Sequence, residues 1–323
     1  MLATGVATTA LAAGPCIATG AVDRDGTALT ARLMNPSGVV KGKVDATGCS
    51  VGVYYSTGKG TVRNADIFGA TYYGVLVDGN GHAVAADIVN STVHDIGDLP
   101  LTSDRHGQGI AYRGFGGTAT GSAIGNRVWH FQEAGINETG PGATVAVVAN
   151  RVTGRGPEDV ISQNGIQVLF GAHGNVVGNV ISDLSFVGTW ATGNGVLVAG
   201  GPSYDQPYTV GTRIVGNVIS NTDVGIVVFE LNPDWTPPEM GTDTWIVGNL
   251  VRNDVLQNVG GWDGDLGVGY QAGISIDGHA DHVIGNTIIG RGYDQAFCGD
   301  AAVCLPIDTD VDLDPIVRGN RIR

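Results

Sequence analysis

The chain has 323 residues, of which 42% are hydrophobic and 15% charged, and its net charge is −14. Its 17 basic residues include three lysines, Lys41, Lys43 and Lys59, so no basic cluster suited to nucleic-acid phosphates is present. No stretch approaches the roughly 18 apolar residues of a membrane span. Composition therefore predicts neither a nucleic-acid partner nor a membrane partner. It also disfavours a strongly anionic polymer, unless Ca²⁺ or local arginines bridge the charges.

The N-terminal segment 1–14 is small and apolar, which is typical of the tail of a signal peptide. The chain also has four cysteines, and none is in C-x-x-C spacing. Their even number predicts two disulfides in an oxidising compartment, against the alternative of four free thiols. These cysteines are Cys16, Cys49, Cys298 and Cys304. The sequence thus predicts a secreted, extracellular protein whose residues 15–323 form one domain, with caps at 15–50 and 295–323.

Two short signatures alternate along the chain. The first is a glycine followed by alternating apolar residues, at Gly52, Gly74, Gly109, Gly135, Gly165, Gly195, Gly225 and Gly273. The second is Gly-Asn or Ala-Asn, then any residue, then Val or Ile, with its asparagines at Asn126, Asn150, Asn179, Asn217, Asn249, Asn286 and Asn320. Runs with period two form strands, and a coil too small to bury its own apolar face must stack on the next. This pattern predicts an all-β, single-stranded, right-handed parallel β-helix of about nine or ten coils. The asparagines are expected to adopt the left-handed backbone of a corner and to hydrogen-bond from coil to coil.

The shortest coil has 22 residues, from Gly52 to Gly74. This pitch, with the two signatures, resembles the β-helix repeats of the pectate-lyase-like superfamily over residues 39–322, and within it secreted actinobacterial-type repeat proteins. The resemblance implies a polysaccharide partner and activities such as lyase, glycoside hydrolase or uronate epimerase. The Trp-x-Asp-His motif of plant-type pectate lyases, with its later Arg-x-Pro-x-x-Arg, is not found in the sequence.

The spacing between signatures locates insertions at 94–106, 155–163, 182–193 and 252–271. Stacking places them on one edge of the solenoid. The coil of Asn126 has no insertion, so its turn 129–133 is expected to form the floor of a cleft between walls 94–106 and 155–163. Loops on a rigid scaffold are where binding and catalysis concentrate.

Ionisable side chains in this predicted cleft suit acid–base chemistry on a glycan. Carboxylates are the candidate acids, histidines the candidate bases and arginines the candidate carboxylate clamps. The catalytic candidates are Asp98, His106, His130, Glu133, Arg155 and Asp159. The substrate-binding candidates are Tyr73, Asp104, Arg105, Trp129, Asn137, Glu158, Gln163 and Gln167. The structural alternative is that the aspartates hold turns and that Arg155 forms a local ion pair.

Two functional hypotheses follow. The first is a secreted polysaccharide lyase or hydrolase that uses this cleft, and the second is a non-catalytic module that binds glycan or cell wall, or is structural. Convergence of Asp98, Glu133 and Asp159 would favour the enzyme. No cofactor is certain, but Ca²⁺ is a candidate at Asp263-Gly-Asp265 and at the alternating aspartates 308–314, which could instead form a charged edge. The chain is expected to be a monomer.

Overall fold

The structure is a computed structural model, and it describes residues 14–189, 191–258 and 268–323. The chain winds into a right-handed parallel β-helix of ten coils, so the predicted fold class is confirmed. The predicted signal-peptide remnant lies outside the described residues except for Gly14, and the Asp263–Asp265 motif also lies outside them.

Three stacks of strands, here called sheets 1, 2 and 3, form the walls of the solenoid. Sheet 1 contains Ile17–Val22, Ala28–Met34, Val51–Tyr55, Tyr73–Asp78, Gln108–Arg113, Ala134–Thr139, Asn164–Leu169, Asn194–Gly200, Val224–Glu230, Gly269–Asp277 and Ala302–Asp308. Sheet 2 contains Val39–Asp45, Gly58–Phe68, Ala83–Val89, Thr118–Ile124, Ala143–Val148, His173–Val177, Arg213–Val215, Trp245–Val247, His282–Ile284 and Ile316–Arg318. Sheet 3 contains Thr92–Ile96, Arg127–Phe131, Arg151–Glu158, Val180–Phe186, Val218–Thr222, Leu250–Arg252, Thr287–Ile289 and Arg321–Ile322. The long strand Gly58–Phe68 continues from sheet 2 into sheet 3.

Helices are few and short. In the part of the chain that the structure describes, they are the 3₁₀ turns Pro202–Tyr204 and Arg291–Tyr293 and the α-helical turn Gln295–Cys298. Within the described ranges, none of them has the length and apolar character needed to cross a membrane.

The interior of the solenoid is filled by columns of β-branched side chains. In sheet 1 one column runs through the coils at Val53, Val75, Ile110, Ile136, Ile166, Val196, Ile226 and Ile274, all fully buried. Branched side chains pack well on a pleated surface, and each coil buries the apolar face of the next. The core therefore forms because equivalent apolar residues of successive coils lie in register and stack on one another.

The asparagines of the second signature form a ladder between sheets 2 and 3. Asn150, for example, donates from Nδ2 to Asn179 Oδ1 over 2.9 Å, and its backbone N–H donates to the same oxygen over 2.8 Å. The predicted coil-to-coil hydrogen bonding is thus confirmed. The expected left-handed backbone lies one residue earlier, at Ala149 (φ 53°) and Gly178 (φ 64°), because the ladder residue itself continues into the next strand.

The N-terminal segment closes one end of sheet 1. Ile17–Val22 pairs antiparallel with Ala28–Met34, which in turn pairs parallel with Val51–Tyr55. A disulfide between Cys16 and Cys49 ties this hairpin to the solenoid. A second disulfide, Cys298–Cys304, lies near the other end, so the two predicted disulfides are confirmed. Both bonds fit an oxidising compartment, while secretion itself remains a prediction.

Candidate functional site

A cavity of about 240 Å³ lies on the outer face of sheet 1, beside the turn of the N-terminal hairpin. Its lining residues are Asp23, Arg24, Tyr73, Gln108, Arg113, Phe115, Asn137, Thr139, Gln167, Leu169, Phe170 and Gln206. Asn137 and Gln167 are in register on adjacent coils, as the outward alternation of the strands predicts. On the preceding coils the same column holds Leu76 and Ala111, which the hairpin covers.

A chain of hydrogen bonds runs beneath this cavity. Arg24 donates from Nη2 to Glu133 Oε1 over 2.8 Å, and Gln108 Nε2 donates to Glu133 Oε2 over 2.9 Å. Asn137 Nδ2 then donates to Gln108 Oε1 over 2.8 Å. Because an ionised carboxylate only accepts, Glu133 fixes which way the Gln108 amide faces, and Gln108 in turn fixes Asn137. As a result, Asn137 directs its side-chain carbonyl oxygen away from this series of hydrogen bonds.

Two buried carbonyl oxygens at the cavity have no hydrogen-bond partner within the described residues. They are Asn137 Oδ1 and Gln167 Oε1, on side chains that are 5% and 4% exposed. A buried acceptor without a donor costs about 1–3 kcal/mol. A ligand with hydroxyl groups could donate a hydrogen bond to each of these two oxygens, which lie on neighbouring coils.

Charged groups beside the cavity are paired with one another. Arg113 forms two hydrogen bonds to Asp78, from Nε over 3.0 Å and from Nη2 over 2.6 Å. Tyr73 donates its hydroxyl to Asp23 over 2.5 Å, and burial together with that carboxylate raises the pKa of Tyr73 well above its usual range. The Tyr73–Asp23 bond holds the hairpin turn against sheet 1, and Arg113 also donates from Nη1 to the Val22 carbonyl of the hairpin over 3.2 Å.

A second cluster of predicted residues lies in the loop that follows strand Thr92–Ile96. Asp98, Asp104 and His106 each offer one ligand atom, and these atoms lie within 4.8 Å of one another. His106 Nε2 is 3.0 Å from Asp98 Oδ2. Partial burial opposes ionisation of Asp98, but hydrogen bonds from Thr102 and the nearby His106 outweigh it and lower the pKa of Asp98. A nitrogen ligand with two carboxylates suits a transition metal better than Ca²⁺, which takes oxygen ligands.

A third cluster lies at the turn predicted to be the cleft floor. The Trp129 ring stacks on His94 with centroids 4.5 Å apart. His130 Nδ1 is 3.0 Å from Asp95 Oδ1. Arg155 does not face a free cleft, because its guanidinium donates to the backbone carbonyls of Phe131 and His130 over 3.2 and 2.9 Å.

The floor is also bonded to both predicted walls. The buried Gln132 accepts from Asp98 N over 2.7 Å and donates to the carbonyl oxygen of Asp104 over 2.7 Å. The buried Gln163 donates to the Phe131 carbonyl over 2.6 Å. Together these amides fill the junctions between floor and walls.

The remaining candidates lie at the surface of the loops. Glu158 accepts from the backbone N–H of the exposed Asp159 over 3.1 Å, which is a local turn contact. The Arg105 carbonyl accepts a hydrogen bond from Arg24. Asp98, Glu133 and Asp159 therefore have separate partners, and no hydrogen bond joins any two of them in the described part of the chain. Of the candidates, Tyr73, Asn137 and Gln167 line the cavity, Glu133 bonds to two lining residues, Arg24 and Gln108, and the others lie elsewhere.

The sequence pattern does not predict several of the residues that line the cavity. Asp23 and Arg24 lie in the hairpin turn, and nothing local indicates that they reach Tyr73 and Glu133, which are 50 and 109 residues further along the chain. Gln108 and Phe170 carry a recognisable signal: Gln108 begins a glycine-signature strand, and Phe170 stands at a corner where the preceding coil has Gly140.

Comparison with known proteins gives little further information. No protein-family model matches the chain, and no curated protein matches it. Among solved structures, the Dettilon tailspike protein (gp208) is similar, with 14% sequence identity and a TM-score of 0.42. The similarity covers 88% of this chain and 54% of that one, so the chain spans about half the length of the tailspike protein. The resemblance to the pectate-lyase-like superfamily remains a prediction.

Proposed function

We propose that this protein binds a glycan in the cavity on the outer face of sheet 1. The observation that carries the proposal is the pair of buried, unpartnered carbonyl oxygens of Asn137 and Gln167. Sugar hydroxyls are donors of the right kind, and each new hydrogen bond would recover the desolvation cost of a buried acceptor. The half-buried rings of Phe115 and Phe170 offer apolar faces to the C–H side of a sugar ring.

Binding is favoured over catalysis by the way the carboxylates are engaged. A hydrolase needs two carboxyl groups on either side of one scissile bond. Here Glu133 is held by Arg24 and Gln108, and Asp98 by Thr102 and His106. We therefore assign Glu133 the role of a positioning residue for Asn137. Lyase, hydrolase and epimerase activities remain alternatives for the same polysaccharide partner. The extracellular location and the monomeric state remain predictions.

The test is retention of the purified protein on a panel of insoluble polysaccharides, followed by titration with the soluble oligosaccharide of the retained polymer. Asn137→Leu and Gln167→Leu each remove one acceptor, and Asn137→Leu also removes the donor to Gln108 Oε1. Each is expected to weaken binding about tenfold, which corresponds to the net loss of one good hydrogen bond. Asn175→Leu, an exposed asparagine on sheet 2, is the matched control and should leave affinity unchanged.

Two results would contradict the proposal. One is equal affinity of the wild type, Asn137→Leu and Gln167→Leu. The other is release of reducing ends or of unsaturated uronates from the same panel, abolished by Glu133→Gln, which would instead support the enzyme hypothesis.

A further inference from the structure

A line of aromatic rings leads away from the cavity along the outer face of sheet 1. Phe170 lines the cavity, and its ring centroid is 5.6 Å from that of Tyr204. Tyr204 is 5.9 Å from Phe229, and Phe229 is 5.9 Å from Trp235. We call these four residues the aromatic track. Phe170 directly follows one strand of sheet 1, and Phe229 lies in the strand two coils further along. The track therefore runs along the solenoid axis for about 10 Å.

The far part of the track is open to solvent. Tyr204 is 44% exposed and Trp235 is 67% exposed. A contiguous set of exposed large rings is uncommon on a soluble monomer and marks a binding surface. Tyr and Trp also combine a flat apolar face with few rotatable bonds, so they lose little entropy when a ligand stacks on them.

The backbone is strained where the two end rings are placed. Phe170 has φ 58° and Trp235 has φ 64°, a left-handed conformation that bulky side chains rarely adopt. In the preceding coil the corner that Phe170 occupies is Gly140: the Gly140 N–H donates to the next coil just as the Phe170 N–H does. A bulky ring thus occupies a corner where glycine would fit without strain, and strained residues of this kind are concentrated at functional sites.

The loop that presents Trp235 is held in one conformation. The Trp235 N–H donates to the Asn232 carbonyl over 3.0 Å, and the Asn232 N–H donates to the Thr236 carbonyl over 3.0 Å. The Tyr208 hydroxyl donates to Asn232 Oδ1 over 2.5 Å, which ties this loop to the segment that carries Tyr204. These hydrogen bonds therefore hold the exposed Trp235 ring in position before a ligand binds.

Charge around the track selects against acidic ligands. Asp205 and Asp234 are both exposed and lie next in sequence to Tyr204 and Trp235. The whole chain carries a net charge of −14. Positive groups are also near: Arg24 and Arg113 line the cavity, paired with Glu133 and Asp78, and Arg105 acts electrostatically on Tyr204. Because the whole chain is strongly negative, a uronate or sulfated polymer would still meet net repulsion here, whereas an uncharged sugar would not.

We infer that the aromatic track extends the cavity into a groove for several consecutive units of an uncharged polysaccharide, which lies along the solenoid axis. This inference rests on the proposed function, since Phe170 belongs to both the cavity and the track. It adds the ligand class, a neutral polymer held along its length, and the direction in which the polymer lies.

The experiment measures affinity against ligand length by calorimetry. The probes are β-1,4-linked gluco-, manno- and xylo-oligosaccharides from disaccharide to hexasaccharide, with oligogalacturonate of equal length as the charged counterpart. For wild type we expect affinity for a neutral series to rise with length. Trp235→Ala and Tyr204→Ala should each weaken hexasaccharide binding about tenfold and leave disaccharide binding unchanged, because only the longer ligand reaches those rings. Phe297→Ala, which removes a ring that is 42% exposed outside the track, is the matched control.

The outcomes separate this inference from the proposed function. If Asn137→Leu weakens both ligand lengths while Trp235→Ala and Tyr204→Ala weaken neither, the groove is refuted and the cavity stands. Absence of binding by any series, or binding that Asn137→Leu leaves intact, would overturn the proposed function and the groove with it. Tighter binding of oligogalacturonate would overturn the neutral ligand class. A dimer in light scattering that Trp235→Ala dissociates would show that a second copy of the chain occupies the track.

Discussion

Glu230 is a carboxylic acid enclosed by the β-helix, and its ionisation should control stability. The side chain is fully buried; Oε2 accepts from the Thr209 N–H over 3.0 Å, and Oε1 has no partner within the described residues. Burial raises the pKa of Glu230 from 4.5 to about 9, although the Thr209 hydrogen bonds oppose the change. At neutral pH the folded protein therefore keeps this group protonated.

The sign of the effect follows from comparing the two states. In the unfolded chain a glutamate ionises near pH 4.5, so between that pH and about 9 the unfolded state releases a proton that the folded state retains. The stability present at low pH is lost across this window at about 1.4 kcal/mol per pH unit. Glu230→Gln removes the ionisation and should make the protein about 3 kcal/mol more stable than wild type at pH 7, with no gain at about pH 4.

Urea unfolding of wild type and Glu230→Gln across this pH range measures the prediction directly. Glu239→Gln, an exposed glutamate in the same segment, controls for the loss of one negative charge. The expected result is a difference between Glu230→Gln and wild type that widens as pH rises. Parallel curves for the two proteins would show that Glu230 ionises in the folded state as readily as in the unfolded chain, and the reasoning would fail.

Three further predictions concern the ladder, the hairpin and the hydrogen-bond chain under the cavity. Asn179→Ala breaks ladder bonds on both sides and should cost about 3 kcal/mol in urea unfolding, whereas Asn175→Ala on the surface of sheet 2 should cost little. Cys49→Ser opens a disulfide with a sequence separation of 33, so the loss should be about 3–4 kcal/mol, and glycan affinity should fall because the hairpin forms one wall of the cavity. Glu133→Gln allows the Gln108 and Asn137 amides to turn, so affinity should fall several-fold with unchanged folding, while the exposed Asp159→Asn should retain full affinity; equal affinities would contradict the positioning role.

The solenoid could be predicted because its determinants are local and repeated. Most coils carry the same glycine, the same alternating apolar residues and the same asparagine, so a single pattern specifies most of the strands. The polar outward pair Asn137 and Gln167 followed from the same alternation. Only the backbone of the ladder was misplaced, since the left-handed residue precedes the asparagine.

The candidate site was harder to predict because it depends on contacts between distant segments. Insertion lengths locate the loops 94–106 and 155–163 but do not say where side chains point. Gln132 and Gln163 turn inward and bond to the walls, and Arg155 folds onto backbone carbonyls. Arg24 reaches Glu133 across 109 residues, a contact that no repeat encodes. For this reason the cavity became visible only in three dimensions.

The asparagine ladder makes the coil an interchangeable module. Each rung uses the same pair of bonds to the same oxygen, whichever coils it joins. A whole coil inserted between two rungs would restore every bond, whereas a partial coil would leave an amide facing the wrong neighbour. Lengthening such a protein by duplicating complete coils is therefore structurally inexpensive, and a groove on sheet 1 could grow with it, one coil at a time.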